Sequence, residues 1–203
     1  MEATRETFAY SKQDHRVLAL LVVKGGFGLA AGVLVLLSVF AKEVFHAGDV
    51  GYGILMAARG VGALIGPFLA RRIAGPQDRR LFPAIGLSLF TFGLFYAVFS
   101  VTPTLLLASL AVMAAHLGGG SQWMLSTYGL QKIVPDRIRG RVFAFDLALI
   151  TVTITTSSLL AGWVAGRFGP RPAALGLSLV ALAWAVAWWS ATRSVRGRPL
   201  VAA

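Results

Sequence analysis

Cysteine is missing altogether from this 203-residue sequence, and charge is scarce: only 13% of its residues are Asp, Glu, Lys or Arg. The first absence excludes a disulfide framework and a thiolate metal site. The second separates the chain from ordinary soluble domains, in which roughly 25% of residues are charged. Acids are rarer still, eight against nineteen Lys and Arg. The opening MEATRETFAYSKQDHR lacks the short apolar core and small-residue cleavage site of a secretory signal. No cofactor and no metal ion is expected.

What fills the sequence instead is apolar: 57% hydrophobic residues and a mean hydropathy of +0.74. Six runs are long enough, at ~1.5 Å per residue, to cross a hydrocarbon core of roughly 30 Å. They cover residues 17–41, 50–73, 81–101, 104–128, 142–164 and 173–192. The chain therefore reads as an all-α integral membrane protein whose first partner is the lipid bilayer. A lead-in spans residues 1–16, the six-helix bundle 17–192 and a basic tail 193–203. A net charge of +11 would point to nucleic acid in a soluble chain. Here the basic residues lie between apolar runs, where they set topology, so no nucleic-acid role is assigned.

Their distribution gives the orientation. Fourteen Lys and Arg fall on the side of the termini, in the lead-in, the basic end of the second span with the turn after it (Arg71, Arg72, Arg79 and Arg80), the loop after the fourth span and the tail, against three on the other side (Lys42, Arg167 and Arg171). The positive-inside bias then predicts a multi-pass protein of the cell (inner or plasma) membrane with both termini cytoplasmic. Gly28 with Gly32, and Gly62 with Gly66, give GxxxG steps that let helix backbones approach closely, with Gly60 adding a further small residue. Gly118, Gly119 and Gly120 weaken the fourth helix or open space beside it. Gly75-Pro76 breaks the chain after the second span.

Ionisable residues within spans cost about 2.5 to 3.5 kcal/mol even on lenient scales, so each is a functional candidate. Lys24 lies in the first span, Arg59 in the second, His116 in the fourth and Asp146 in the fifth; the third and sixth have none. The order polar, polar, apolar occurs twice. Three spans reverse direction, so the second trio is inverted relative to the first, as in many secondary transporters. The third and sixth spans then face lipid and the other four surround a cavity. Counting at ~1.5 Å per residue puts Arg59 and His116 roughly 14 and 18 Å deep, near the midplane, and Lys24 and Asp146 roughly 10 and 8 Å deep. Similar depth and opposite sign predict a Lys24–Asp146 pair. Snorkelling to the interface is the other reading of both residues. His116 divides between a hydrogen-bonded packing role and proton coupling. Arg59 needs an acid from another chain or domain. Asp146, Thr153 and Ser157 share one face of the fifth span, and Gln122 joins the pathway set.

Two stretches resemble the major facilitator superfamily, within it the drug- and siderophore-exporter-like branch, and the likeness covers essentially the whole chain as a C-terminal six-helix half. GILMAARGVGALIGPFLARR is similar to the eighth helix and the loop motif GxxxD(R/K)xGR(R/K): Gly66 and Arg71 fit, with Arg72 beside them, while Ala70 stands where the Asp falls and Ile73 where the second Gly falls. QKIVPDRIRGRVFAFD resembles the loop between the tenth and eleventh helices, with Pro135, Arg139, Gly140 and Arg141 on its pattern and Asp136 within it. The resemblance implies cytoplasmic gating loops, a small-molecule substrate, alternating access, and an N-terminal six-helix half or a homodimer partner outside this chain. The expected function is an efflux-type secondary transporter. The alternative is a membrane bundle or scaffold that transports nothing. An intramembrane serine protease would need a base for Ser121, and His116, about 140° away on the same helix, is out of reach.

Overall fold

The computed structural model describes residues 14–75, 78–196 and 200. Residues 1–13 of the lead-in, Pro76 of the predicted breaker and Arg198 of the tail lie outside the described residues. Six helical spans cross the molecule. The first consists of α1 (His15–Ala30), α2 (Val33–Val39) and a π-helical turn (Phe40–Val44). The others are α3 (Gly48–Ala74), α4 (Leu81–Val101), α5 (Leu105–Ile133), α6 (Asp136–Phe168) and α7 (Pro170–Ala191).

Local chemistry sets the ends. Asp14 caps α1 by accepting from the Arg16 amide at 2.9 Å. Thr104 does the same for α5 through Leu107. Gly169, at φ +90°, turns the chain between α6 and α7, and Pro170 opens the next helix with its φ already fixed. The stretch QKIVPDRIRGR is not the open loop its polarity suggested. α5 continues through Ile133, and α6 starts at Asp136. Only Val134 and Pro135 break the helix, because a residue before proline is driven out of the α region; Val134 sits at φ −79°, ψ 125°. Asp136 and Arg139 to Arg141 therefore form the first turns of a 33-residue helix.

With hydrocarbon outside, shape rather than water exclusion packs these helices. Gly62 and Gly66 of α3 lie against the Met113 and Leu117 carbonyls of α5. Pro67 cannot donate to the Ala63 carbonyl four residues back, and Gly120 packs on that carbonyl. Gly118 meets the Ser88 carbonyl of α4 on another side. The glycine run thus neither weakens nor empties α5; it seats the helix between two neighbours. A Cβ at Gly60 would touch nothing, so Gly60 takes no part in this contact. Aromatic pairs fill the wider gaps, Phe27 on Phe92 at 4.7 Å and Phe40 on Phe99 at 4.4 Å between centroids.

The charge-free third span packs inward on one side and faces lipid on the other. α4 buries twelve residues against α5 and α7, and its lipid stripe is confined to positions such as Leu87, Leu94 and Val98. α3 and α6 instead bury only six residues each, mostly at four-residue spacing. The second and fifth spans are the open ones in this chain. Arg171 ties the far end together by donating to the Ser100 and Thr102 carbonyls, both at 2.9 Å.

Candidate functional site

Three spans meet at one ammonium group. Lys24 of α1 pairs with Asp146 of α6, donates to Thr127 of α5 at 2.9 Å and lies 5.3 Å from the centre of the Trp123 ring. Lys24 is 1% and Asp146 5% exposed. Neither side chain snorkels. Inside low dielectric such a pair holds together only while both partners keep their charge, and removal of one leaves the other stranded at a cost of about 3–5 kcal/mol. Asp146 accepts through one oxygen; Oδ1 is buried without a partner among the described residues.

The pair stands at one end of a seam between α1 and α6. Gly25, Gly28 and Gly32 face Leu149, Thr153 and Ser157 in register, so the two helices run parallel and close. Halfway along the first span the helical hydrogen-bond ladder is interrupted at Ala31 and Gly32, although both keep α-region backbone angles. An interrupted ladder frees backbone groups that hydrocarbon cannot satisfy. Ser157 satisfies two of them: its hydroxyl accepts from the Gly32 N–H at 3.0 Å and donates to the Leu29 carbonyl. Thr153, one turn earlier on the same face, bonds to the Leu149 and Ile150 carbonyls of its own helix.

His116 is 3% exposed and locked among α3, α4 and α5. Its Nε2 lies 2.8 Å from the Tyr96 hydroxyl, and Phe92 and Tyr96 both meet its ring edge to face. Arg59, half-buried on α3, lies near enough to act electrostatically on His116 and Tyr96, and its Nε has no hydrogen-bond partner among the described residues. Gln122 is fully buried, and neither amide atom has a partner among the described residues. Ser121 donates to the Leu117 carbonyl of its own helix.

The predicted loop residues form two separate groups. Arg71 pairs with Asp78, whose second oxygen accepts from the Tyr128 hydroxyl at 2.8 Å, and the guanidinium lies 5.0 Å from the Tyr128 ring centre. Asp78, at φ +56°, occupies a left-handed position that Asp tolerates better than most residues. It supplies from the turn the carboxylate that Ala70 lacks in the motif. Arg72 points away, exposed, while Gly66 is a packing residue. In the other group Arg139 donates to the Val134 carbonyl at 3.2 and 3.1 Å and pairs with Asp136, closing the turn around Pro135. Gly140 and Arg141 lie on the open side of α6.

Sequence reading missed Tyr96, Thr127, Asp78 and Tyr128. Tyr96 carried a usable signal, since a tyrosine hydroxyl within an apolar span must find a polar partner. Thr127, Asp78 and Tyr128 carried none, because their partners lie 103, seven and fifty residues away in the chain.

Comparison with known proteins follows the same lines. A family model described as transmembrane secretion effector, of the MFS_3 type, matches residues 1–196. Among solved structures the chain superposes on the MFS proton:xylose symporter XylE bound to 6-bromo-6-deoxy-D-glucose, with a TM-score of 0.67 and 18% identity over 85% of this chain and 44% of that one. A partially occluded inward-open form of the xylose transporter XylE from E. coli gives 0.66 and 18%, over 85% and 49%. An inward-open form gives 0.60 and 17%, over 91% and 53%. At such identity the likeness is one of fold. The chain spans about half the length of these structures. No curated protein matches it.

Proposed function

The chain belongs to the transmembrane secretion effector family of the major facilitator superfamily, and on that footing we propose that it forms one six-helix half of an efflux-type secondary transporter working by alternating access. The observation that carries this reading is the Lys24–Asp146 pair, buried between two parallel helices, with the ladder of the first span interrupted about two turns further along the same seam. Ionisable residues buried within membrane spans and paired with one another mark the ion and substrate pathways of transporters. A proton taken up on the free oxygen of Asp146 cancels the charge that holds Lys24 and loosens α1 from α6. Loss of that proton restores the pair. Protonation is thereby coupled to movement at the α1–α2 break.

Lys24, Arg59, Gln122, Asp146, Thr153 and Ser157 line or brace the pathway in this reading, and His116 holds the wall through Tyr96. With Lys24 neutralised by Asp146, Arg59 is the uncompensated charge at the midplane, which favours anionic or amphipathic solutes. The Arg71–Asp78–Tyr128 and Asp136–Arg139 groups act at the cytoplasmic ends as gating elements, with both termini on that side. The partner bundle is a preceding six-helix half or a second copy. Everted vesicles carrying the protein test the reading: energised uptake of anionic or amphipathic dyes should collapse with a protonophore and vanish in Asp146→Asn. Uptake indifferent to both overturns proton coupling, and a folded protein that accumulates no solute identifies a bundle without transport.

A further inference from the structure

On the lipid-facing side of the bundle, α4 and α7 do not close completely. Gly86, Leu87, Phe90, Ala185, Val186 and Trp189 line a wholly apolar crevice of about 280 Å³. Gly86 lets the Trp189 ring, one wall of the crevice, pack directly on the α4 backbone, since a Cβ there would run into the Trp189 and Trp188 rings. Leu87 and Val186, 51% and 61% exposed, form the outer walls. Gly86 is five residues into α4, roughly 8 Å along its axis. Trp189 is two residues from the end of α7. The crevice therefore opens into one leaflet, the one on the side of the chain termini.

Its mouth is basic. Arg79 and Arg80 immediately precede α4, and Arg193 and Arg196 follow α7. The Arg196 guanidinium lies 3.9 Å from the centre of the Trp189 ring, over the crevice wall itself. The described acids at this end are engaged elsewhere: Asp14 with Arg16, Asp78 with Arg71 and Asp136 with Arg139. Among the described residues none of the four rim arginines has a carboxylate partner. A second copy seated here would bring four more arginines against these four, and a neutral lipid would leave them uncompensated.

We propose that the crevice holds one acyl chain of an anionic phospholipid, with its phosphate bound by Arg193 and Arg196 and with Arg79 and Arg80 on the facing rim. The apolar channel takes the chain at the depth where a phospholipid carries it, and the arginines stand at headgroup level. Basic clusters at membrane surfaces select anionic lipids in this way.

Native mass spectrometry of the full chain, offered equal amounts of phosphatidylglycerol and phosphatidylcholine with matched acyl chains, tests the proposal. One phosphatidylglycerol should stay bound, preferred by about tenfold or more. Arg193→Gln with Arg196→Gln should bring that preference close to one, whereas Val186→Trp, filling the crevice from an exposed position, should reduce retention of both lipids. Should Val186→Trp fail to fold, Leu87→Trp serves as the second filling variant. Excess inorganic phosphate should leave the bound lipid in place. Equal retention of the two lipids by the wild-type chain, an undiminished preference in the arginine variant, displacement by phosphate, or lipid-free dimers would each overturn it.

Discussion

Ser157 of α6 holds the Gly32 backbone of the first span across the helix interface, its hydroxyl accepting from the Gly32 N–H at 3.0 Å while donating to the carbonyl of Leu29. One side chain on a neighbouring helix thus completes the backbone of a broken one. The break persists because Ser157 satisfies what it frees, and the glycine is needed because a Cβ would fall on the Ser157 carbonyl.

Ser157→Ala should therefore loosen this junction. Two backbone groups lose their partner in hydrocarbon, at a cost of about 1–3 kcal/mol for each. Hydrogen exchange at residues 29–34 should accelerate while exchange in α5 stays unchanged. Protection at Gly32 equal to wild type would show that the hydroxyl does not hold the break.

The buried pair makes a different pattern. Asp146→Asn alone strands the Lys24 ammonium and should destabilise by about 3–5 kcal/mol, as should Lys24→Met alone. The double variant Lys24→Met/Asp146→Leu should recover most of that loss, read by thermal unfolding in detergent. Additive losses in the double variant would mean that the two residues act independently.

Much of this was legible in the sequence. Hydropathy alone marks the six spans, and the Lys24–Asp146 pairing follows from sign and depth, because only partners at one level can meet. The break at Ala31–Gly32 was not legible, since it depends on a serine 125 residues away. Polarity misread 131–141 as loop because basic residues favour helix ends at a membrane surface as readily as they favour loops. The inward packing of α4 was not legible from charge content, because a span without charge packs on its inner side through glycine and aromatic residues, as Gly86, Gly93, Phe92 and Phe99 do.

Tyr96 and His116 give a third test. Tyr96→Phe leaves the buried imidazole without its partner and should cost about 1–3 kcal/mol, whereas Tyr96→Phe with His116→Phe should be closer to neutral. A Tyr96→Phe variant as stable as wild type in thermal unfolding would place the His116 partner elsewhere.

Asp78 ties the turn before α4 to both α3 and α5. Asp78→Gly keeps the left-handed backbone but removes the bonds to Arg71 and Tyr128, so the loss should be small, about 1 kcal/mol or less given the partial exposure of Arg71. The local effect should be larger than the global one. Trypsin should cut after Arg79 or Arg80 several-fold faster, and an unchanged cleavage rate would mean that the turn is held by other contacts.

Topology can be read directly because the sequence has no native cysteine. Asp49→Cys and Asp136→Cys replace side chains that are each 88% exposed, at opposite ends of the bundle. In intact cells an impermeant thiol reagent should label position 49 and spare position 136. The reverse pattern would invert the orientation.

The most direct measurement is substrate-driven proton movement in vesicles carrying Lys24→Met/Asp146→Leu at wild-type abundance. Near-native thermal stability with proton movement abolished is the result expected if the Lys24–Asp146 pair couples protonation to helix movement. Proton movement equal to wild type in a variant that has neither charge would contradict it.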